Sequence, residues 1–130
     1  MGYIILYVPL VGVRGFHQCI KRRHIIYLSD ELNECDARFV CAHELAHAIL
    51  HKGFNRIFLD SETLFITSKY EIEADRWAAE LLLPPEELEE SLLCQYTIPQ
   101  IAAMYGLAVP LVEYLISLFH QKGGLTYRDL

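Results

Sequence analysis

The sequence lacks a long apolar run. Its most apolar stretch, YIILYVPLV at residues 3–11, is far shorter than the roughly twenty residues that a membrane-spanning helix needs. No basic segment precedes this stretch, and no small-residue cleavage site follows it in good register, so a secretory signal is not indicated. We therefore predict that Tyr3–Val8 is a buried β-strand and that the protein does not act at a membrane.

The sequence also lacks a regular cysteine pattern. Its four cysteines include no pair with C-x-x-C spacing, whereas a small secreted chain more often shows a framework of disulfide bridges. This spacing does not support a structural zinc site made of thiolates. We expect reduced thiols and a cytoplasmic location.

Positive charge is scarce and unevenly distributed. The formal net charge is −6, and no Lys or Arg occurs between Arg76 and Lys122. The stretch TIPQIAAMYGLAVPLVEYL has the spacing of a helix-turn-helix motif, but a DNA-binding helix needs basic residues for phosphate contacts. We therefore expect two helices at about residues 97–120, separated at Gly106, and we expect this pair to complete the core of the same domain. Direct DNA binding is the less favoured alternative.

What the sequence does contain is enough apolar material for one core, since 53% of its residues are hydrophobic. Segments with strand character come first, including His24–Leu28, and segments with helical periodicity follow. This order predicts an α+β fold with a short N-terminal β-sheet, then an active-site helix, then a helical C-terminal part. We expect a single domain over residues 1–130.

Two long helices are predicted after the strands. The first covers about Glu34–Lys52, with Ser29 or Asn33 as its cap and Gly53 after its end. The second covers KYEIEADRWAAELLL at residues 69–83 and ends at two consecutive prolines. The pattern of residues 54–68, between them, is ambiguous.

The stretch CAHELAHAILHKG, residues 41–53, contains an H-E-x-x-H motif. On a helix, His43 and His47 lie one turn apart on the same face, so both imidazoles can reach one metal ion. Glu44 follows the first histidine directly and can act as a general base toward a water molecule. The rest of this helix is mostly apolar, and a buried His-Glu-His face needs partners. We predict a zinc site with His43 and His47 as ligands and Glu44 as the catalytic residue.

A third ligand is needed. His51 lies about 12 Å from His43 along a helix axis, which is too far for both to bind one ion. We therefore expect His51 either to contact a zinc-binding residue or to line the substrate cleft. Glu71 and Asp75 in YEIEAD share a helix face. Glu71 would be the third ligand, and Asp75 would accept a hydrogen bond from a ligating imidazole. Glu73 falls on another face, but it remains open as a substitute for Glu71.

These residues predict peptide-bond hydrolysis. A zinc ion with three protein ligands keeps one position open and activates water. Glu44 would take a proton from the attacking water and pass it to the leaving amine. A second donor to the developing oxyanion is also expected. Tyr70, His51 and His120 are candidates that the sequence does not rank.

The segments AHELAHAILH and EIEADRWAAELLLP together resemble the ImmA/IrrE family of zinc metallo-endopeptidases. The upstream segment VGVRGF, with HIIYLSDELNECDARFV after it, is similar to the strand-rich beginning of that family, and the resemblance covers most of residues 8–90. It implies a zincin-like fold in which His43, His47 and Glu71 bind zinc and Glu44 is the base. This chain has Trp77 and Leu83 where members often have Phe and Met, and both changes are conservative.

The resemblance also implies a biological setting. Members often occur in phages and mobile elements beside a helix-turn-helix repressor, which they cut to relieve repression, and others act in stress responses. We therefore expect a zinc-dependent endopeptidase that hydrolyses a protein target, with such a repressor as the expected partner. The main alternative is a non-catalytic, zinc-containing anti-repressor that acts by binding its target. The presence of Glu44 favours the enzyme.

Overall fold

A computed structural model describes residues 2–51 and 61–123 of the chain, and for residues 61–67 it describes the backbone alone. Three strands come first, namely β1 Tyr3–Val8, β2 Gly15–Ile20 and β3 Arg23–Ser29. The helices of the described residues follow as α1 Glu34–Leu50, α2 Ser61–Leu82, α3 Pro85–Leu93, α4 Ile98–Tyr105 and α5 Val109–Gln121. A small N-terminal sheet followed by helices is the α+β, zincin-like arrangement that the sequence predicts.

The sheet has the strand order β1-β3-β2, with β3 in the centre. β1 runs parallel to β3, and β2 runs antiparallel to it, with Phe16 opposite Tyr27. Lys21 and Arg22 join β2 to β3, and both have positive φ, 49° and 66°. Two consecutive left-handed residues form the type of tight turn that follows the twist of a hairpin. The sequence pattern does not predict β2, because this turn contains no Asn-Gly or Asp-Gly pair.

The edge strand β1 is mostly exposed, and the central strand β3 is the buried one. In β1, Ile5 is 46% exposed and Tyr7 is 62% exposed. In β3, Ile26 and Leu28 are buried and pack against α1. The bounds predicted for β1 are confirmed, but the prediction that it is buried is wrong. A short apolar run alone does not distinguish an edge strand from a central one.

Helix α1 begins where Asn33 caps it. The Asn33 side-chain oxygen accepts a hydrogen bond from the Asp36 backbone N–H at 2.8 Å, which gives a partner to one of the first N–H groups of the helix. The helix ends at Leu50, and the His51 N–H still donates to the His47 carbonyl at 3.0 Å. The predicted end at Lys52 and the predicted role of Gly53 lie outside the described residues.

Helix α2 extends further toward the N-terminus than predicted, because residues 61–68 of the ambiguous segment are helical. The rest of that segment, residues 54–60, lies outside the described residues. Helices α1 and α2 pack against each other, and fully buried alanines occur in both, Ala46 in α1 and Ala74 and Ala78 in α2. Small side chains allow two helices to approach closely. Their polar faces can therefore meet.

The C-terminal part of α2 forms a second core with α3, α4 and α5. Its largest fully buried side chains are Leu83, Leu88, Ile101 and Val112. Gly106 follows α4 in the left-handed conformation, at φ 66°, and separates α4 from α5 where the sequence predicts a break. The helix pair thus contributes to the core, and the four cysteines are free thiols as predicted.

In the described part of the chain, no single helix is long and apolar enough to cross a membrane. Helices α4 and α5 meet the criteria of length and composition only as a pair, and the chain bends by 108° between them.

Candidate metal centre

Helix α1 presents its histidines on one face, as their spacing predicts. The rings of His43 and His47 lie 4.7 Å apart, centroid to centroid, in an edge-to-face arrangement. Their Nε2 atoms are 3.1 Å apart, so both nitrogens point at the same place. His47 is buried, and His43 is partly buried. The local periodicity of one helix therefore brings together two of the three predicted metal ligands.

Helix α2 supplies the third residue. Glu71 Oε1 lies 2.8 Å from His47 Nε2, and Glu71 Oε2 lies 2.9 Å from His43 Nε2. We call His43, His47 and Glu71 the donor cluster. Among the described residues, this is the one group of three His, Cys, Asp or Glu side chains whose ligand atoms lie close enough together to hold a metal ion, all within 4.8 Å of one another. The structure thus brings together the three residues predicted as ligands.

The electrostatics of the donor cluster without a metal are those of a tight ion pair. Burial by itself lowers the pKa of His43, but hydrogen bonds to Asp75 and Glu71 outweigh it and raise this pKa to about 9. Burial by itself raises the pKa of Glu71, but hydrogen bonds from His43 and His47 hold it well below its ordinary value. In the metal-free protein the positive charge of protonated His43 therefore balances the negative charge of the Glu71 carboxylate. A bound metal cation would take over this role.

Asp75 lies where the sequence predicts a partner for a ligating imidazole. Its Oδ1 atom is 2.7 Å from His43 Nδ1, on the opposite side of the ring from Glu71. Because a carboxylate only accepts, the Nδ1 atom of His43 carries the hydrogen and donates it. This contact orients the ring so that Nε2 faces the centre of the donor cluster.

Glu73 stands apart from the donor cluster and contacts a different histidine. Its Oε2 atom is 2.9 Å from His51 Nε2, and His51 Nδ1 is 2.9 Å from His47 Nδ1. The ring of Tyr70 stacks on the ring of His51 at 4.1 Å between centroids. His51 therefore contacts a residue of the donor cluster without joining it, which is one of the two positions that the sequence leaves open for it.

Glu44 lines a cleft beside the donor cluster. The cleft has a volume of about 480 Å³, and the Glu44 side chain at its wall is buried, only 4% exposed. His43, Glu71 and Asp75 line the same cleft. The predicted base thus lies next to the predicted ligands, in a space that another molecule can enter.

The rest of the cleft lining is the part that the sequence does not predict. This remaining part of the cleft lining consists of residues 12–14, between β1 and β2, Gly15 at the start of β2, and Phe39 and Val40 of α1. One of these loop residues, Arg14, lies 3.6 Å from Asp36 in an exposed ion pair. The glycines of VGVRG indicate only a turn. Of the proposed oxyanion donors, Tyr70 contacts His51, while His120 is exposed in the last turn of α5.

Comparison with known proteins identifies the family. The Peptidase_M78 family, described as the IrrE N-terminal-like domain, matches residues 4–117, which is most of the chain. The chain belongs to this family. The resemblance deduced from the two motifs is thereby confirmed, and the match includes the strands, the donor cluster and most of the C-terminal helix pair.

Two known proteins are similar in sequence to the chain. It is 39% identical over 101 residues to "Uncharacterized immunity region protein 2" of Bacillus phage phi105, across 78% of this chain and 64% of that protein. It is 29% identical over 103 residues to "Metallopeptidase ImmA" of Bacillus subtilis (strain 168), across 78% of this chain and 60% of that protein. The chain thus spans less than two thirds of the length of either relative.

Proposed function

We propose that the chain is a zinc-dependent endopeptidase that cleaves a protein target. The observation that carries the proposal is the convergence of His43 Nε2, His47 Nε2 and both Glu71 carboxylate oxygens beside a cleft that Glu44 lines. Membership of the Peptidase_M78 family and similarity to a protein named as a metallopeptidase support the same class of reaction.

The donor cluster has the chemistry that zinc requires. Two imidazole nitrogens and one carboxylate form the donor set of many catalytic zinc sites. Ligand atoms at about 2.0–2.1 Å from a tetrahedral zinc ion lie about 3.3 Å from one another. The separations of 2.8, 2.9 and 3.1 Å in the donor cluster are close to that value. His43, His47 and Glu71 would hold the ion.

When bound, zinc would polarise the scissile carbonyl and lower the pKa of a water molecule toward about 7. The residues of the chain then have separate tasks. Glu44 accepts the proton of the attacking water and delivers it to the leaving amine. Asp75 holds the His43 ring through Nδ1 and keeps its Nε2 directed at the centre. The cleft walls of residues 12–15 and Phe39 position the peptide and limit its access to bulk water.

As the target we propose a repressor protein of a phage or mobile element. The support is indirect, since one relative is named as an immunity region protein of a phage. The alternative, an anti-repressor that binds without cutting, shares the zinc site but does not need Glu44. The position of Glu44 favours the enzyme, because it lines the same cleft as His43 and Glu71, where a base can reach a water molecule at the metal.

The test combines metal analysis with cleavage. The purified chain, a His47→Ala variant and a Glu80→Gln control are analysed for zinc by mass spectrometry. Each is then incubated with a pool of fluorogenic peptides of mixed sequence and with a purified helix-turn-helix repressor of the same mobile element. We expect about one zinc ion per chain and cleavage in the wild type and the control, and neither in His47→Ala. Full zinc occupancy in His47→Ala would refute the proposed site.

A further inference from the structure

A second line of polar contacts leads from His47 to the surface of α2. His51 Nδ1 lies 2.9 Å from His47 Nδ1, and His51 Nε2 lies 2.9 Å from Glu73 Oε2. We propose that Glu73 and His51 form a hydrogen-bonded relay that holds His47 in the one tautomer able to bind a metal ion. Both are thus positioning residues of the metal centre, and this inference rests on the proposed function.

The direction of the relay follows from the atoms in it. In the metal-free protein His47 Nε2 is hydrogen-bonded to Glu71, but with a metal ion bound this atom must present its lone pair, and the ring hydrogen must then be on Nδ1. That N–H points at His51 Nδ1, which must accept. The hydrogen of the neutral His51 ring is then on Nε2, where it donates to the Glu73 carboxylate. Each donor meets one acceptor along the whole line.

The opposite tautomer of His51 breaks this pattern. It would place two N–H groups face to face between His51 and His47, and it would direct a lone pair at the Glu73 carboxylate. Each of these contacts is repulsive, and burial makes the one between the two histidines more costly. Because Glu73 can only accept, it sets the tautomer of His51 and, through it, the tautomer of His47. The relay therefore acts on a ligand that Glu73 does not touch.

Packing holds the middle ring of the relay in place. The His51 side chain is only 3% exposed, so water is a poor substitute for its hydrogen bonds. Tyr70 stacks on its face, with 18° between the ring planes, and leaves both nitrogens in the plane of the relay. Lys69 Nζ lies 3.9 Å from Glu73 Oε1, one turn away on the same helix.

The two histidines of the donor cluster are thus supported in parallel ways. His43 Nδ1 meets the Asp75 carboxylate directly, at 2.7 Å. His47 meets a carboxylate through one intervening imidazole, because its Nδ1 faces His51 and not α2. The spacing H-E-x-x-H-x-x-x-H on α1, together with E-x-E-x-D on α2, supplies all the parts. This gives Glu73 a role distinct from that of a third ligand.

The test separates hydrogen bonding from packing at one position. His51→Phe keeps an aromatic ring for Tyr70 to stack on but removes the acceptor. His51→Asn keeps an acceptor near the Nδ1 position but removes the ring. Zinc affinity is measured by competition with a chromophoric chelator, and the visible spectrum of the cobalt-substituted protein reports the ligand geometry. We expect His51→Phe to weaken zinc binding about 10–100-fold, as loss of a supporting hydrogen bond typically does.

We expect His51→Asn to recover most of that affinity, and its cobalt spectrum to be closer to wild type than that of His51→Phe. Glu80→Gln, on the exposed face of α2, serves as the control and should match wild type. The reverse order, with His51→Phe at wild-type affinity and His51→Asn weakened, would overturn the relay and assign His51 a packing role. Absence of zinc binding by the wild type would instead reject the proposed function.

A second pair of variants, at Glu73, tests the relay even if the His51 variants do not fold. Glu73→Gln keeps an acceptor for His51 Nε2–H, whereas Glu73→Leu removes it. Circular dichroism of the metal-free proteins shows whether each variant folds. We expect Glu73→Leu to lose more zinc affinity than Glu73→Gln, and to add little further loss when His51 is already Phe. Equal affinities for the two Glu73 variants would contradict the relay even if neither His51 variant folds.

Discussion

Replacing Glu44 by Gln should separate catalysis from metal binding and from folding. Glu44 adjoins His43 on α1 and lines the cleft, but it supplies no atom to the donor cluster. Glutamine has nearly the same size and shape as glutamate, so the variant leaves no cavity at this buried position. What it loses is the ability to accept a proton.

The expected magnitudes follow from this placement. Loss of a general base slows a reaction by about 10²–10⁴-fold, equivalent to about 2.7–5.4 kcal/mol of activation free energy. The zinc content should stay at the wild-type level, because His43, His47 and Glu71 are unchanged. The free energy of unfolding should change by no more than about 1 kcal/mol, the centre of the usual range for single substitutions.

The assay measures three quantities on the same preparations. Mass spectrometry gives the zinc content, urea denaturation gives the free energy of unfolding, and chromatography of the peptide pool and the repressor gives the rate of cleavage. Glu80→Gln serves as the control, since it makes the same chemical change at an exposed position of α2. It should leave all three quantities unchanged.

Two results would refute the reasoning in different ways. Cleavage by zinc-loaded Glu44→Gln at the wild-type rate would show that Glu44 is not the base. Relief of repression in cells at the wild-type level, without any cleavage by either protein, would show that the chain works by binding. In the second case the metal centre stands and the peptidase assignment fails.

The remaining predictions concern protons, the fold and DNA. Zinc binding at pH 7.5 should release about one proton from His43, beside the proton released by a zinc-bound water, because the pKa of His43 is raised to about 9 in the metal-free protein and a ligating imidazole must be neutral. The His43 contribution should disappear as the pH rises above that pKa; calorimetry in buffers of different ionisation enthalpy measures the total release, and a total that does not fall across this pH range would contradict the ion pair. Gly106→Ala should lower the free energy of unfolding by about 1–2 kcal/mol, since φ is 66° there. An added Cβ would also lie 3.0 Å from that of Cys35. Urea denaturation checks this, with zinc content as the quantity that should not change. A mobility-shift assay at low salt should detect no complex between the chain and mixed DNA duplexes, since α4 and α5 contain no Lys or Arg; a salt-sensitive, sequence-specific shift would contradict it.

The sequence alone determined the features that depend on one helix at a time. His43 and His47 share a face because a helix repeats every 3.6 residues, and the same periodicity pairs Glu71 with Asp75. The cap at Asn33 and the break at Gly106 are likewise local, since each depends on the conformational preference of one residue and its near neighbours. These predictions needed no knowledge of how the helices pack.

The tertiary structure decided which residues of different elements meet. His43 contacts Glu71 and Asp75 across 28 and 32 positions of sequence, and His51 contacts Glu73 across 22. Periodicity places Glu73 on another face of α2 from Glu71, but it does not say that α1 carries a histidine opposite that face. Only the docking of α2 on α1 brings Glu73 Oε2 to 2.9 Å from His51 Nε2.

In the sheet, too, some features can be predicted from the sequence and others depend on tertiary contacts. The strand character of Tyr3–Val8 is visible in the sequence, because β-branched and aromatic residues favour extended backbone. Its position at the exposed edge is not visible, since that depends on β2 and β3 pairing through a turn of two left-handed residues. β1 pairs with β3 and not with β2, the next strand along the chain, and the apolar pattern of β1 does not show that it has a neighbour on one side only.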